Sequence, residues 1–341
     1  MSSVPTSRRA APTLEEVAAA AGVSRSTVSR VVNGSNQVSP DAAEAVQTAI
    51  DRLNYIPNRA ARSLAIRRTM AIVLVVPEDT SRLFGDPHLA AKVQGIARGL
   101  EDSDYVLNLQ VVEPQVPSEK SVRYLLGGNV DGALVVSHHS GDRFLERLGA
   151  HMPTVFGGRP LREVDENIYF VDVDNVAGAA MGTRHLIERG SRRIATIAGP
   201  PDMPAAIDRL TGWGDAMREA ARETGLVARG DFTRDSGARA MRDLLARDPG
   251  IDGLFVANDL MAVGAISVLR EHGKSIPGDI AIVGFDDSPA ATSGEIQLTT
   301  VHQPSREMGG EMASTLLALL AGEPTEHVHV MPTRMVIRDS A

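Results

Sequence analysis

A chain of 341 residues with 43% hydrophobic and 23% charged residues can bury a sizeable core across two or three domains, which excludes a wholly disordered protein. The absence of cysteine excludes disulfides, thiolate zinc sites and cysteine nucleophiles, and fits a reducing compartment. No apolar run reaches eighteen residues and the start, MSSVPTSRRAAP, lacks the hydrophobic core of a signal peptide, so a cytoplasmic protein with no membrane partner is expected.

The net charge of −8 is unevenly divided. Residues 1–68 hold nine arginines, no lysine and five acids, net +4, which leaves −12 for the remainder. A small basic head on an acidic body points to a polyanion partner for the head alone. On charge alone a solvated basic face would serve as well.

After a flexible tail over residues 1–12, Thr13-Leu14-Glu15-Glu16 matches a capping box and predicts a first helix to about Ala20. Gly22 can take the positive φ of a sharp turn, and Ser24 has the hydroxyl to cap a second helix. In that second helix Val28, Val31 and Val32 share one face, while Arg25, Ser26, Ser29 and Arg30 point elsewhere. Ser39-Pro40 starts a third helix through about Asn54, with Ala42, Ala45, Val46, Ala49, Ile50 and Leu53 inward. Residues 13–56 thus read as a helix-turn-helix whose second helix suits the major groove, a bundle with ordinary surface polars being the alternative. The next stretch, YIPNRAARSLAIRR, breaks at Pro57, offers Asn58 as a cap, and gives a hinge over 57–68 with a helix too short to be stable alone. Laid over a minor groove, it could present Leu64 as an apolar wedge and its arginines to phosphates; otherwise it is a basic linker.

From Met70 the pattern alternates. MAIVLVV, YVLNLQVV, DGALVVS and PTVFGG read as buried strands, with helices such as Leu89 to Ser103 and Ser118 to Gly127 between them. RIATIAG, GLFVAND and IAIVGFD form a second series with helices near Ala177–Arg189, Ile207–Thr224, Ala238–Arg247 and Met261–His272. Two such series predict two doubly wound parallel sheets, with ligand beyond the carboxyl ends of the strands, where Asn258-Asp259 and Asp286-Asp287 fall. Enzyme motifs fail. No G-x-G-x-x-G follows the first strand, GKS at Gly273–Ser275 has Val268 where a P-loop needs glycine, and no G-x-S-x-G appears. No histidine sits with carboxylates at metal-ligand spacing, so neither a metal, a cofactor nor catalysis is expected.

TLEEVAAAAGVSRSTVSRVVNG, then VSP and LNYIPNRAARSLA, closely resemble the lactose-repressor family of bacterial transcription regulators, and the likeness covers nearly the whole chain. It implies an α-helical headpiece plus an α/β two-lobed periplasmic-binding-protein-like core. The amino-terminal lobe would be 69–172 with 302–330, the carboxy-terminal lobe 173–301 with 331–341. It implies a homodimer on a pseudo-palindromic operator DNA, associated with the nucleoid, and a small sugar effector between the lobes. By position, Arg25 and Ser26 would read bases, Ser29 and Arg30 would contact bases or phosphate, Asn33 would support backbone contacts, and Leu64 would be the wedge. Thr13, Ser24, Thr27, Tyr55, Asn58 and Arg59 complete the DNA-facing set.

For the effector, Arg209 in GPPDMPAAIDRLTGW, Asn258 in VAND, Asp286 in VGFDD and Gln303 in TTVHQP match the family's ligand positions. Arg209 can donate a bidentate pair to adjacent hydroxyls and Asp286 can accept from them. Phe232 could stack on a sugar ring or belong to the core. Gly158 and Arg159 stand where the lactose repressor has an acid, which argues against galactoside recognition by the same contacts. LFGDP, GGRPL, GPPDM and the GDFT stretch look most like the actinobacterial branch that senses cellobiose or related β-glucosides, adding Arg159 and Asp86, the latter equally explicable as a turn former. A purine-type effector and a non-regulatory sugar-binding protein stay open. No leucine heptad follows the last strand-like stretch, so a dimer is expected.

Overall fold

The structure, a computed structural model, describes residues 12–32, 37–56, 68–114, 117–160 and 168–341. The chain divides into two units, Met1–Thr69 and Met70–Ala341.

The first unit carries α1 (Leu14–Ala21), α2 (Arg25–Val32) and α3 (Pro40–Leu53). The Thr13 hydroxyl accepts from the Glu16 amide at 3.3 Å while the Glu16 carboxylate accepts from the Thr13 amide at 2.7 Å, closing the capping box. Gly22 ends α1 at φ 66°, and Ser24 then caps α2 by accepting from the Thr27 amide at 3.1 Å. Val17, Ala18, Val28, Val46, Ala49 and Tyr55 form the shared core.

The second unit begins with β1 (Ala71–Val76), α4 (Thr80–Gly85), α5 (Pro87–Gly99), β2 (Val106–Val111), α6 (Glu119–Leu126), β3 (Gly132–Val136), α7 (Phe144–His151), β4 (Thr154–Gly157) and β5 (Tyr169–Val173). It crosses into α8 (Asn175–Glu188), β6 (Ile194–Ala198), α9 (Pro204–Glu219), β7 (Val227–Arg229), α10 (Arg234–Arg247), β8 (Gly253–Val256), α11 (Asp259–Glu271), β9 (Ala281–Asp286) and β10 (Thr299–His302). It then returns for α12 (Ser305–Ala321) and β11 (Val328–Met331), and crosses again to β12 (Arg334–Val336). The sheets have the orders β11-β5-β4-β3-β1-β2 and β12-β10-β9-β8-β6-β7. Apolar clusters cover both faces of each sheet, which is why β1, β3, β6 and β8 are near-continuous hydrophobic runs.

Two expectations need correction. The second sheet is mostly rather than wholly parallel, since β12 pairs antiparallel with β10. YVLNLQVV is an edge strand, half-buried, with Leu109 exposed, because β2 has β1 on one side only. Helices α5, α8, α9, α10 and α11 also start two to four residues before the sequence pattern suggests. Their first turns are polar or carry proline, and the caps Asp86, Asp174, Thr233 and Asn258 precede the apolar stripe.

Helices α5 and α12 touch backbone to backbone. A Cβ on Gly95 would stand 1.9 Å from the Arg306 carbonyl oxygen, and one on Gly309 2.2 Å from the Lys92 carbonyl oxygen. Gly95→Ala should therefore cost about 1–3 kcal/mol and lower the thermal midpoint; calorimetry showing no shift would contradict that contact.

Candidate functional site

On the first unit, Ser24, Arg25, Ser26 and Arg30 are exposed, Thr27 and Ser29 half-buried, and Val28 buried. Thus α2 packs along one side and offers hydroxyls and guanidinium groups along the other. Arg25 pairs with Glu15 at 3.1 Å, but both side chains are mostly exposed, so a phosphate or base edge can take the guanidinium at small cost. Thr13 and Ser24 spend their hydroxyls on helix caps. Tyr55 is 6% exposed and packs in the core. Asn33, Asn58, Arg59 and Leu64, with most of the hinge over 57–68, lie outside the described residues.

In the second unit the carboxyl ends of both sheets converge. Arg209, on α9, is 4% exposed; its Nε donates to Asn175 at 2.9 Å and its NH1 to the Ala257 carbonyl at 2.6 Å and to Asp286 at 3.2 Å. Its guanidinium also stands 3.7 Å from the Phe285 ring centre. From Asp286 the chain of hydrogen bonds continues through Gln303, whose Nε2 donates to Asp286 Oδ1 at 2.6 Å and to His88 Nδ1 at 3.2 Å. On the other side Asn175 donates to Asp172 at 3.0 Å, and Asp172 accepts the Arg159 amide at 2.8 Å. This network links both lobes through two of the crossovers.

Around it, side chains of the two lobes clasp each other. Arg159 makes a bidentate pair with Asp208 at 2.7 and 2.5 Å, and His139 meets Asp202 at 3.0 Å. Arg82 donates to the Asp231 carbonyl, stands 5.1 Å over the Phe232 ring, and reaches Asp86 at 3.6 Å. A cavity of about 260 Å³ at this mouth is lined by Arg82, Asp86, Phe232 and Leu260 among others. A larger cavity, about 810 Å³, lies beside α7 and β4 and shares none of the seven candidate effector residues. The polar cluster, not the larger void, has the convergent donors and acceptors of a binding site.

Strain concentrates at the same place. Ser137, Phe232, Asp286 and Asp287 all have positive φ, at 57°, 67°, 112° and 55°. Asn258 holds Phe232 there, its Nδ2 donating to the Phe232 carbonyl at 3.0 Å while its Oδ1 caps α11. Burial pushes the Asp286 carboxyl up to about 6, against the pull of Arg209. Burial, with Asp286 nearby, also raises Asp259 well above the usual carboxylate range.

Two family models match: bacterial regulatory proteins, lacI family, over residues 13–58, and a periplasmic binding protein-like domain over 183–341. The HTH-type transcriptional regulator CelR of Thermobifida fusca is 47% identical over 337 residues, 98% of this chain and 99% of that protein. The ribose operon repressor of Escherichia coli K12 is 33% identical over 92% of this chain and 94% of its own. The chain belongs to the lacI family of bacterial regulatory proteins. Among solved structures, a CelR–cellobiose complex is 44% identical with TM-score 0.74, covering 97% of this chain and 100% of its own. The Lac repressor dimer bound to operator and the anti-inducer ONPF is 28% identical with TM-score 0.85, covering 97% and 99%.

In this lacI-family chain Arg209, Asp286 and Gln303 are in direct contact, and Asn258 joins them through Phe232. Phe232 belongs to the core of its lobe and also lines the mouth, so both readings of it describe part of its surroundings. Asp86 caps α5 beside Arg82, and Arg159 turns to Asp208 instead of the floor. Sequence reasoning passed over Arg82, His88, Lys92, Asp172 and Asn175. For Lys92 a signal existed: it sits in the stripe of Leu89, Val93, Ile96 and Leu100 on α5, where a charge is out of place.

Because Asp286 is protonated more readily in the folded core than in an unfolded chain, whose carboxyl titrates near about 4, the folded state binds the extra proton between those values. Stability should fall as pH rises from about 4 to about 6 and level off above. Asp286→Asn should flatten most of that slope in thermal midpoints taken across pH 4–7; an unchanged slope would place the titration elsewhere.

Proposed function

We propose that this protein is a dimeric transcriptional repressor of sugar-utilisation genes that occupies a pseudo-palindromic operator and is released by cellobiose or a related β-glucoside held between the lobes of its core. The observation that carries this is the buried, strained network of Arg209, Asp286, Asn175 and Gln303 in a core covalently joined to a helix-turn-helix. With Nε and NH1 of Arg209 spent on Asn175, Ala257 and Asp286, its NH2 is the group that can donate to pyranose hydroxyls, beside a carboxylate that accepts. The relatedness to CelR and the CelR–cellobiose complex supports the choice of sugar. The site set, Asp86, Arg159, Arg209, Phe232, Asn258, Asp286 and Gln303 for the effector and the exposed face of α2 for DNA, is part of the proposal.

No covalent step is needed, and the relatives compared are regulators of transcription. Among the described residues no helix is long and apolar enough to cross a membrane, and we place the protein in the cytoplasm at the nucleoid. The clasps Arg159–Asp208, His139–Asp202 and Arg82–Asp231 give the lobes contacts that a ligand can strengthen or re-aim. Carried through segment 57–68 to the headpieces, a differential affinity of about 1–3 kcal/mol suffices to couple sugar to operator.

The test is fluorescence anisotropy of a labelled pseudo-palindromic duplex from the DNA upstream of the gene, titrated at two salt concentrations with and without cellobiose. Tight binding that weakens with salt and falls at least about tenfold with sugar is expected. Binding unmoved by cellobiose would remove the ligand, and absence of specific binding would remove the repressor. Arg209→Lys, which loses the planar fork, should need at least about tenfold more sugar for release.

A further inference from the structure

Lys92 is 6% exposed, yet among the described residues no hydrogen bond or ion pair reaches its ammonium. It lies four residues after His88 on α5, so the two share one face of the helix. His88 is tied into the cleft network. Its Nδ1 lies 3.2 Å from the Gln303 amide nitrogen and 2.7 Å from the Ser305 hydroxyl, so that side of the ring is spent on protein partners. Burial holds both groups' affinity for protons down, and the charges acting on Lys92 are Asp172, Asp286, Asp86 and Arg209, all residues of the cleft.

A side chain this far withdrawn from water that ends in an ammonium with no protein acceptor is costly, and such groups persist where something else completes them. Asp172 is occupied: it accepts from the amides of Arg159 and Val173 and from Asn175. Asp286 is occupied by Arg209 and Gln303. The ammonium therefore has countercharge nearby but no oxygen at bonding distance. What it lacks is an acceptor: Asp172, Asp286 and Asp86 stand against Lys92, Arg209 and Arg82, so the local charges are matched.

We propose that Lys92 is a specificity-determining contact of the effector cleft, donating to a hydroxyl, ring or glycosidic oxygen of an uncharged sugar. This rests on the sugar-sensing function proposed above. It adds a cationic donor from the amino-terminal lobe to a site whose Arg209 and Asp286 come from the other. Because the three carboxylates are already matched by three cations, an added anionic group gains no net attraction, and an uncharged sugar is the ligand that fits.

The test is calorimetric titration of cellobiose, and of its anionic analogue cellobionate, into the full-length wild type, Lys92→Met and Lys92→Gln, with thermal unfolding of each alone and with cellobiose. Lys92→Met should weaken cellobiose binding at least tenfold while keeping or raising the midpoint of the sugar-free protein, because a nearly buried ammonium without a hydrogen-bond acceptor is removed. Lys92→Gln, which retains donors, should lie between. Wild-type affinity in Lys92→Met, a sugar-free midpoint that falls with affinity unchanged, or a preference of the wild type for cellobionate would each overturn the proposal. A wild type that binds neither cellobiose nor any β-glucoside of a panel would instead overturn the sugar reading, and this contact with it.

Discussion

A guanidinium cannot be left dry and unpaired, and the core is organised around satisfying the one at Arg209. Its partners come from the start of α8, the loop after β8 and the end of β9, so three separate stretches must converge for it to be buried at all. From there the network runs to Asp172 and Arg159 in one direction and to Gln303 and His88 in the other. Each member constrains the next, and a half-satisfied network of this kind would cost more than an apolar filling. The strained backbone at Phe232, Asp286 and Asp287 is tolerated because Asn258, Gln303, His302 and Arg338 hold those residues in place.

Under the proposed function, that network is what lets the site respond instead of merely bind. Its residues sit at the carboxyl ends of two sheets whose strands are otherwise closed apolar runs, so polar groups have nowhere to go but into the space between the lobes. The lobes meet there through ion pairs and single hydrogen bonds rather than through a continuous apolar interface: Arg159 with Asp208, His139 with Asp202, Arg82 with Asp231. A ligand that bridges the floor must compete with these contacts or add to them. A small differential in free energy is all that population shift requires.

The headpiece follows a different logic. Its core is only a handful of side chains, so caps matter in proportion: Thr13 with Glu16 and Ser24 with Thr27 fix the two helix starts, and Gly22 sets the turn between them. Packing Val28 inward is what turns Arg25, Ser26 and Arg30 outward.

Much of this was legible in the chain because it depends on neighbours. Capping boxes, the turn glycine, the apolar stripe of α3 and the buried parallel strands are local patterns, whereas Arg209, Asp286 and Gln303 were grouped only by the resemblance to the lactose-repressor family. The tertiary structure decided the rest. Only folding could set Arg159 against Asp208 rather than the floor, bury Tyr55, make β2 an edge and β12 antiparallel, and bring Asn175, Asp172 and His88 into a network whose members lie up to 215 residues apart. Sequence by itself determined which segments form helices and strands, because those choices are made within a turn or a pleat. Which of those groups meet was decided by the tertiary structure, because buried charges find their partners across crossovers that no local pattern encodes.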